Sequence, residues 1–165
     1  MYPLGHIGIA AFVATLFFLP ALYAVLGGIL PDVLDKVFFT LGILPCGRSF
    51  FHSLFFGPLA AAIVFALTRN KKYAVAIWFG AYSHLILDAA NFVPWFYPVV
   101  SYAFNCGPVV FQPPLLEIAV EIFGLALIVT LIFFKWKVVA LRYRLWKWYN
   151  ASTRRTKTKI RKKKR

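Results

Sequence analysis

Long apolar runs, separated by short polar stretches, dominate the first 134 residues of the chain. The four longest runs cover residues 7–30, 50–67, 73–93 and 115–134. An α-helix needs about 20 apolar residues to cross the ~30 Å hydrocarbon core of a bilayer, and a helix satisfies its own backbone hydrogen bonds there. The pattern therefore predicts an all-α, polytopic membrane protein with about four transmembrane helices.

The first run contains Pro20, and a proline inside a helix removes a hydrogen bond and kinks or ends the helix. A straight single crossing is the default interpretation. The alternative is a pair of short helices that form a hairpin, which would return His6 to the neighbourhood of Asp32. That alternative would also change the parity of the remaining crossings.

Charge divides the chain into two parts. The formal net charge is +14, yet residues 1–134 hold five basic and five acidic residues. We therefore predict a helical membrane domain over 1–134 that carries a metal site, and a second part over 135–165. The second part begins as a basic, aromatic interfacial helix on anionic lipid headgroups and ends as a disordered cationic tail. A cationic run also binds nucleic acid, but beside a membrane span the lipid surface is the favoured partner.

The loop charges predict the orientation, because cytoplasmic loops are enriched in Lys and Arg. The 69–72 loop and the C-terminal tail are basic, whereas residues 94–114 contain no Lys or Arg. Both termini and the 69–72 loop are therefore placed in the cytoplasm, and the 31–49 and 94–114 loops outside. This arrangement predicts a multi-pass protein of the cell (plasma or inner) membrane.

A histidine and a carboxylate lie inside the third apolar run, in the stretch GAYSHLILDAANF at 80–92. His84 and Asp88 are four residues apart and share one face of a helix. An Asp near the bilayer centre costs about 2.5–3.5 kcal/mol, so it needs a partner, a water-filled cavity or a cation. The pair alone suits an interhelical hydrogen bond as well as a zinc ion. Asp32 and His52, predicted at the same membrane face, favour the metal.

Arg48 precedes His52 by four residues at the start of the second run. Its planar guanidinium binds phosphate or carboxylate in a bidentate manner, although an interfacial arginine also reaches to headgroups simply as an anchor. Ser53 is read as a helix-start cap rather than a nucleophile. The stretch LPDVLD at 30–35 is read as a helix that ends at Pro31, with Asp32 and Asp35 on the following turn.

Several of these residues together resemble the YdjM-like family of inner-membrane proteins, which are predicted metal-dependent hydrolases. The resemblance covers roughly residues 5–121. The matching positions are His6, Leu30-Pro31-Asp32, Arg48, His52-Ser53, Gly80, Ser83-His84 and Asp88, followed by VPWFYPVV at 93–100. Glu117 resembles an acid often found at the start of the last helix. The chain differs from the family pattern at Asp35, one position later than expected, and at Lys36 and Gly47, where the family has histidines.

The order of these residues is also similar to that in zinc-dependent phospholipases C and related nucleases. The two resemblances imply one or two divalent ions, with zinc as the first choice, and a metal-activated water that attacks a phosphoester or lipid-like substrate at the membrane surface. The predicted metal ligands are His6, Asp32, His52, His84 and Asp88. The predicted catalytic residues are Asp35, Glu117 and Arg48. The predicted supporting residues are Ser53, Ser83, Asn91 and Glu121, the last of which suits a helix-packing hydrogen bond equally well.

The two cysteines, Cys46 and Cys106, lie in the two loops that are placed outside. They either form a disulfide on an oxidising face or remain two free thiols.

Two functions fit this sequence. The first is an integral-membrane metal-dependent hydrolase. The second is a non-enzymatic membrane protein, an ion carrier that uses the same His/Asp cluster or a scaffold recruited through its basic tail. A carrier needs polar groups through both halves of the membrane, and the scarcity of such groups favours the hydrolase.

Overall fold

The computed structural model describes residues 3–89, 91–104, 115 and 117–136, and these ranges contain helices and no β-strand. The helices are α1 Pro3–Leu16, α2 Ala21–Thr40, α3 Phe56–Thr68, α4 Lys71–Leu87 and α5 Glu117–Trp136, and a 3-10 turn at Phe50–His52 precedes α3. The predicted all-α fold class is confirmed.

The first predicted crossing consists of two helices. α1 ends before a turn in which Phe18 has a φ of 55°, and Pro20 is the N-cap of α2 with a φ of −65°. Proline is favoured at a helix start because its φ is already helical and its missing N–H is not needed there. The two helices pack through small residues, Ala10, Ala14 and Ala24. The straight crossing over 7–30 is therefore wrong, and the hairpin alternative is correct.

α2 runs through Pro31 and ends at Thr40, so the predicted helix end at Pro31 is also wrong. Pro31 has no N–H to bond the carbonyl of Gly27, and such a loss is tolerated when neighbouring groups compensate. Residues three apart lie on one face of a helix. The continuous helix therefore presents Asp32 and Asp35 on the same side, which a turn would not ensure.

α4 packs against both α2 and α3. Its crossing with α2 brings the two backbones into contact, since a methyl group added to Gly80 would collide with the backbone of Ala24. A methyl group on Gly27 would likewise collide with the carbonyl of Ile77. This close approach places α2 and the C-terminal part of α4 side by side, where the polar cluster forms.

Large apolar side chains cover much of the surface of the described residues, among them Leu16, Phe17, Phe18, Leu22 and Leu67. By length and composition, α5 is the one helix in the described ranges that could cross a membrane, and 6% of its apolar stretch is buried. α1 and α3 are apolar but shorter. The four predicted crossings stay a prediction.

The chain divides into two units, residues 1–128 and 129–165. The first unit contains all the candidate site residues. Of the second unit, the structure describes 129–136, the C-terminal turns of α5. The predicted interfacial helix and cationic tail lie almost wholly outside the described residues.

Gly80→Ala should destabilise the fold, because the added methyl group meets backbone rather than a mobile side chain. Overpacking of this kind costs about 1–3 kcal/mol. The measurement is the thermal unfolding midpoint of the protein in detergent, compared with Gly47→Ala. A methyl group at Gly47 has a single neighbour, a Phe39 ring atom 3.9 Å away, so this control should unfold like the wild type. Equal midpoints for both variants would contradict the close crossing.

Candidate metal centre

Five polar side chains from separate helices and turns converge in the first unit. They form two groups of three residues, and within each group the ligand atoms lie within 4.8 Å of one another. The first group is His6, Asp32 and His84, and the second is His52, His84 and Asp88. His52, His84 and Asp88 are fully buried. The structure therefore brings together all five predicted metal ligands.

Asp35 fixes the position and tautomer of His52. Its carboxylate Oδ2 lies 2.6 Å from His52 Nδ1 and also accepts a hydrogen bond from the His52 backbone N–H at 3.1 Å. Ser49 donates its backbone N–H at 2.9 Å and its hydroxyl at 2.8 Å to the same carboxylate. A carboxylate only accepts, so His52 Nδ1 carries the proton. When the ring is neutral, His52 Nε2 therefore carries the lone pair, and this atom faces the cluster.

The backbone of α2 fixes His84 in the same way. His84 Nδ1 lies 2.7 Å from the carbonyl oxygen of Gly28. Since a carbonyl only accepts, Nδ1 is the donor and Nε2 is the free nitrogen. An outer hydrogen bond from one ring nitrogen to a carboxylate or backbone carbonyl is the arrangement seen at most histidine metal ligands.

The two free nitrogens face each other. His52 Nε2 and His84 Nε2 are 3.2 Å apart, so when both rings are neutral two lone pairs point into the same small space. Two imidazole nitrogens that bind one tetrahedral zinc ion at 2.0–2.1 Å stand about 3.3 Å apart. The observed separation therefore fits a shared divalent cation.

His6 and Asp88 add further unsatisfied atoms. Both ring nitrogens of His6 and both carboxylate oxygens of Asp88 are buried and have no hydrogen-bond partner among the described residues. They do lie within ion-pair range of other groups: His6 Nε2 is 3.3 Å from Asp88 Oδ1, and an Arg48 nitrogen is 3.0 Å from Asp88 Oδ2. Buried polar atoms without hydrogen bonds are costly, and a cation would satisfy the Asp88 oxygens and the unprotonated nitrogen of His6.

Asp32 lies at the more open edge of the cluster. Its Oδ1 is 3.5 Å from His52 Nε2 and 3.5 Å from Lys36 Nζ. The Lys36 ammonium beside Asp32 favours the charged form of this carboxyl group. Asp32 is therefore a carboxylate at neutral pH and can act as a ligand.

A cavity of about 200 Å³ adjoins this edge. Its lining contains two residues of the cluster, several apolar side chains, a glycine of α2 and a lysine. The lining residues are Pro3, His6, Gly28, Ile29, Asp32, Val33 and Lys36. A small molecule in the cavity would touch both His6 and Asp32.

The predicted supporting residues act mainly on local backbone. Ser53 Oγ donates to the carbonyl of Phe50 at 2.7 Å, and Ser83 Oγ to that of Gly80 at 2.8 Å. The backbone N–H of Asn91 donates to the carbonyl of Asp88 at 2.8 Å. These bonds shape the turns that carry His52 and Asp88.

The two glutamates of α5 have different positions. Glu117 begins α5 and belongs to neither donor group within the described ranges. Glu121, one turn later, accepts hydrogen bonds from the backbone of Leu4 and Gly5 in α1. The structure thus connects Glu121, and not Glu117, to the helix that carries His6.

Comparison with known proteins identifies the family of the chain. A family model described as YdjM inner membrane protein matches residues 1–152. The chain belongs to the YdjM family of inner membrane proteins. No curated protein and no solved structure matches the chain.

Asp32 and Asp35 have different roles in this YdjM protein. Asp35 follows Asp32 by three residues, a spacing that keeps both carboxylates on one face of α2. Asp35 orients His52, whereas Asp32 lies beside its free nitrogen. Lys36 pairs with Asp32 and lines the cavity.

Two partners of the predicted ligands were missed by sequence reasoning. Ser49 holds Asp35, and the Gly28 carbonyl holds His84. The position of Ser49 between Arg48 and His52 was a weak signal for a role in the site. The role of Gly28 depends on a main-chain oxygen, for which side-chain identity gives no signal.

Cys46 is disulfide-bonded. Cys106, its predicted partner, lies outside the described residues.

Asp35→Asn should destabilise this YdjM protein strongly, because an amide group would face donors that the carboxylate now satisfies. Removing one member of a buried charged network costs about 3–5 kcal/mol. Ser49→Ala, which deletes one donor and leaves the carboxylate in place, should cost about 1 kcal/mol. Denaturant unfolding in detergent compares the two variants. Equal losses would show that Asp35 does not organise the turn.

Proposed function

We propose that this YdjM-family protein is a membrane-embedded, metal-dependent hydrolase that acts on the phosphoester of a lipid-like substrate at the membrane surface. The observation that carries the proposal is the pair of facing Nε2 atoms of His52 and His84, 3.2 Å apart. Both are held as acceptors by hydrogen bonds on the opposite side of each ring. Side chains arranged only for packing would not need two such fixed tautomers.

One divalent ion per chain fits the donor set best. The two donor groups share His84. His84 has a single free ring nitrogen, because its Nδ1 is hydrogen-bonded to the carbonyl oxygen of Gly28. The donors are imidazole nitrogens and carboxylate oxygens, which suit zinc first and other first-row divalent ions after it. An ion bound there would polarise a phosphoryl oxygen and lower the pKa of a bound water to about 7.

The protein's own residues would bind and orient the substrate. Arg48 lies against Asp88 at the edge of the cluster, and its side chain is 24% exposed. A guanidinium in that position can bind a phosphate while its other nitrogens remain near the carboxylate. We assign Arg48 the role of phosphate clamp.

The cavity beside His6 and Asp32 supports an amphiphilic substrate. One side of it is apolar, with Pro3, Ile29 and Val33, and Lys36 supplies a cation. A volume of about 200 Å³ accommodates a headgroup and the start of an acyl or prenyl chain. The rest of such a chain would extend along the exposed apolar surface into lipid.

The orientation in the membrane follows from charge. We place the basic 69–72 loop and the C-terminal tail on the cytoplasmic side and the site near the outer face. His6 lies within the site in α1, so the N-terminus falls on the side of the site in this arrangement, and not in the cytoplasm as a straight first crossing would require. Anionic lipid is the proposed partner of the tail.

Metal analysis of detergent-purified protein tests the proposal. The wild type should carry about one divalent ion per chain, and His84→Ala and Asp88→Asn should lose it. Ser53→Ala, a change in the same turn as His52, should retain the ion because its hydroxyl bonds to Phe50. Hydrolysis of a chromogenic phosphodiester and of phosphatidic acid in mixed micelles should disappear with the ion.

A folded wild-type protein that binds no divalent ion would overturn the metal centre. An ion-loaded protein that cleaves neither phosphoester would overturn the proposed reaction and favour an ion carrier.

A further inference from the structure

The N-terminus of α1 receives its cap from a distant helix. The first N–H groups of an α-helix have no partner inside the helix. Pro3, the first residue of α1, has no N–H, and the next two groups donate to Glu121 of α5. Leu4 N lies 2.9 Å from Glu121 Oε2, and Gly5 N lies 3.0 Å from Glu121 Oε1.

A carboxylate is well suited to this position. It offers one oxygen to each of the two N–H groups, and its negative charge is favourable at the positive end of the helix dipole. The first turn of α1 contains no acidic residue of its own. The two hydrogen bonds therefore join segments that are 116 and 117 residues apart in sequence.

Glycines make the contact between the two helices close. A methyl group on Gly8 would collide with the backbone of Gly124, and one on Gly124 would collide with the backbone of Leu4. A methyl group on Gly5 would lie 2.7 Å from a side-chain carbon of Val120. α1 and this part of α5 are thus in backbone contact, and the register between them is closely defined.

His6 follows directly after the two capped residues. Its ring stacks on that of His84, with centroids 4.2 Å apart, and its Nε2 is 3.3 Å from Asp88 Oδ1. A shift or rotation of the first turn of α1 would move His6 away from both. The cap and the glycine contact hold that turn against α5, while α2 and α4 pack on α1 from other sides.

We propose that Glu121 is a positioning residue of the metal centre, which acts by capping α1 and thereby holds His6 against His84 and Asp88. The inference rests on the proposed metal centre for its functional meaning. Glu121 does not reach the donor groups within the described residues, so its effect on metal affinity should pass through His6.

A double-mutant cycle tests this route. Zinc affinity is measured in detergent by competition with a chromophoric chelator for the wild type, Glu121→Gln, His6→Ala and the double variant. Glu121→Gln replaces one acceptor oxygen by an NH2 group that faces a backbone N–H. It should weaken zinc binding by less than the roughly 10–100-fold that follows loss of a direct partner of a ligand. The double variant should bind zinc no more weakly than His6→Ala alone.

Two results would contradict the proposal. Multiplied losses in the double variant would show that Glu121 acts independently of His6, for example through general destabilisation. An unchanged zinc affinity in Glu121→Gln would show that the cap does not position His6.

Hydrogen exchange of the metal-free protein separates this inference from the proposed function. In Glu121→Gln the amides at the N-terminus of α1 should exchange faster than in the wild type, whereas those of α3 should not change. Glu117→Gln is the matched control, since it makes the same chemical change one turn earlier on α5 and should leave α1 unaffected. Unchanged exchange in α1 would show that Glu121 does not cap this helix. The measurement does not depend on whether the protein binds zinc.

Discussion

The contact between Asp35 and His52 is the interaction on which the rest of the site depends. A fully buried carboxylate in the middle of α2 is costly unless it is satisfied. Here it accepts hydrogen bonds from the backbone and hydroxyl of Ser49 and from the backbone and ring of His52. These bonds fold the segment before α3 against α2. They also fix the tautomer that turns His52 Nε2 towards His84, so one carboxylate links the fold of the loop to the chemistry of the cluster.

The other elements complete this arrangement through main-chain contacts. The glycine crossing of α2 and α4 brings the Gly28 carbonyl to His84, and the glycine contact of α1 with α5 holds the turn from which His6 reaches Asp88. In both places the absence of a side chain allows two helices to approach closely enough for a backbone group or a histidine to reach the next helix. The small residues of this YdjM protein therefore set the positions of the histidines.

The amino-acid sequence predicted the helical class and the residues that converge, because a His or Asp in an apolar helix needs a partner. Pro20 indicates the break that returns His6 to Asp32, but a proline is also compatible with one kinked helix over 7–30, so the sequence did not distinguish the two. Sequence reasoning was wrong at Pro31, because α2 continues through this residue to Thr40. Asp35 was predicted to be catalytic, because the sequence does not distinguish a carboxylate that binds a metal or acts as a base from one that orients a histidine. Only the positions of Ser49 and His52 distinguish these roles, and the cap by Glu121 depends on a contact between distant parts of the chain.

The central claim is that the facing histidines and Asp88 form a metal centre of nitrogen and oxygen donors. X-ray absorption spectroscopy of the zinc-loaded protein tests it most directly. The account predicts nitrogen and oxygen neighbours at about 2.0–2.1 Å and the outer-shell scattering of at least two imidazoles. In His52→Ala the number of imidazoles that scatter should fall by one. A zinc spectrum with sulfur neighbours at about 2.3 Å, or one without imidazole scattering, would contradict it.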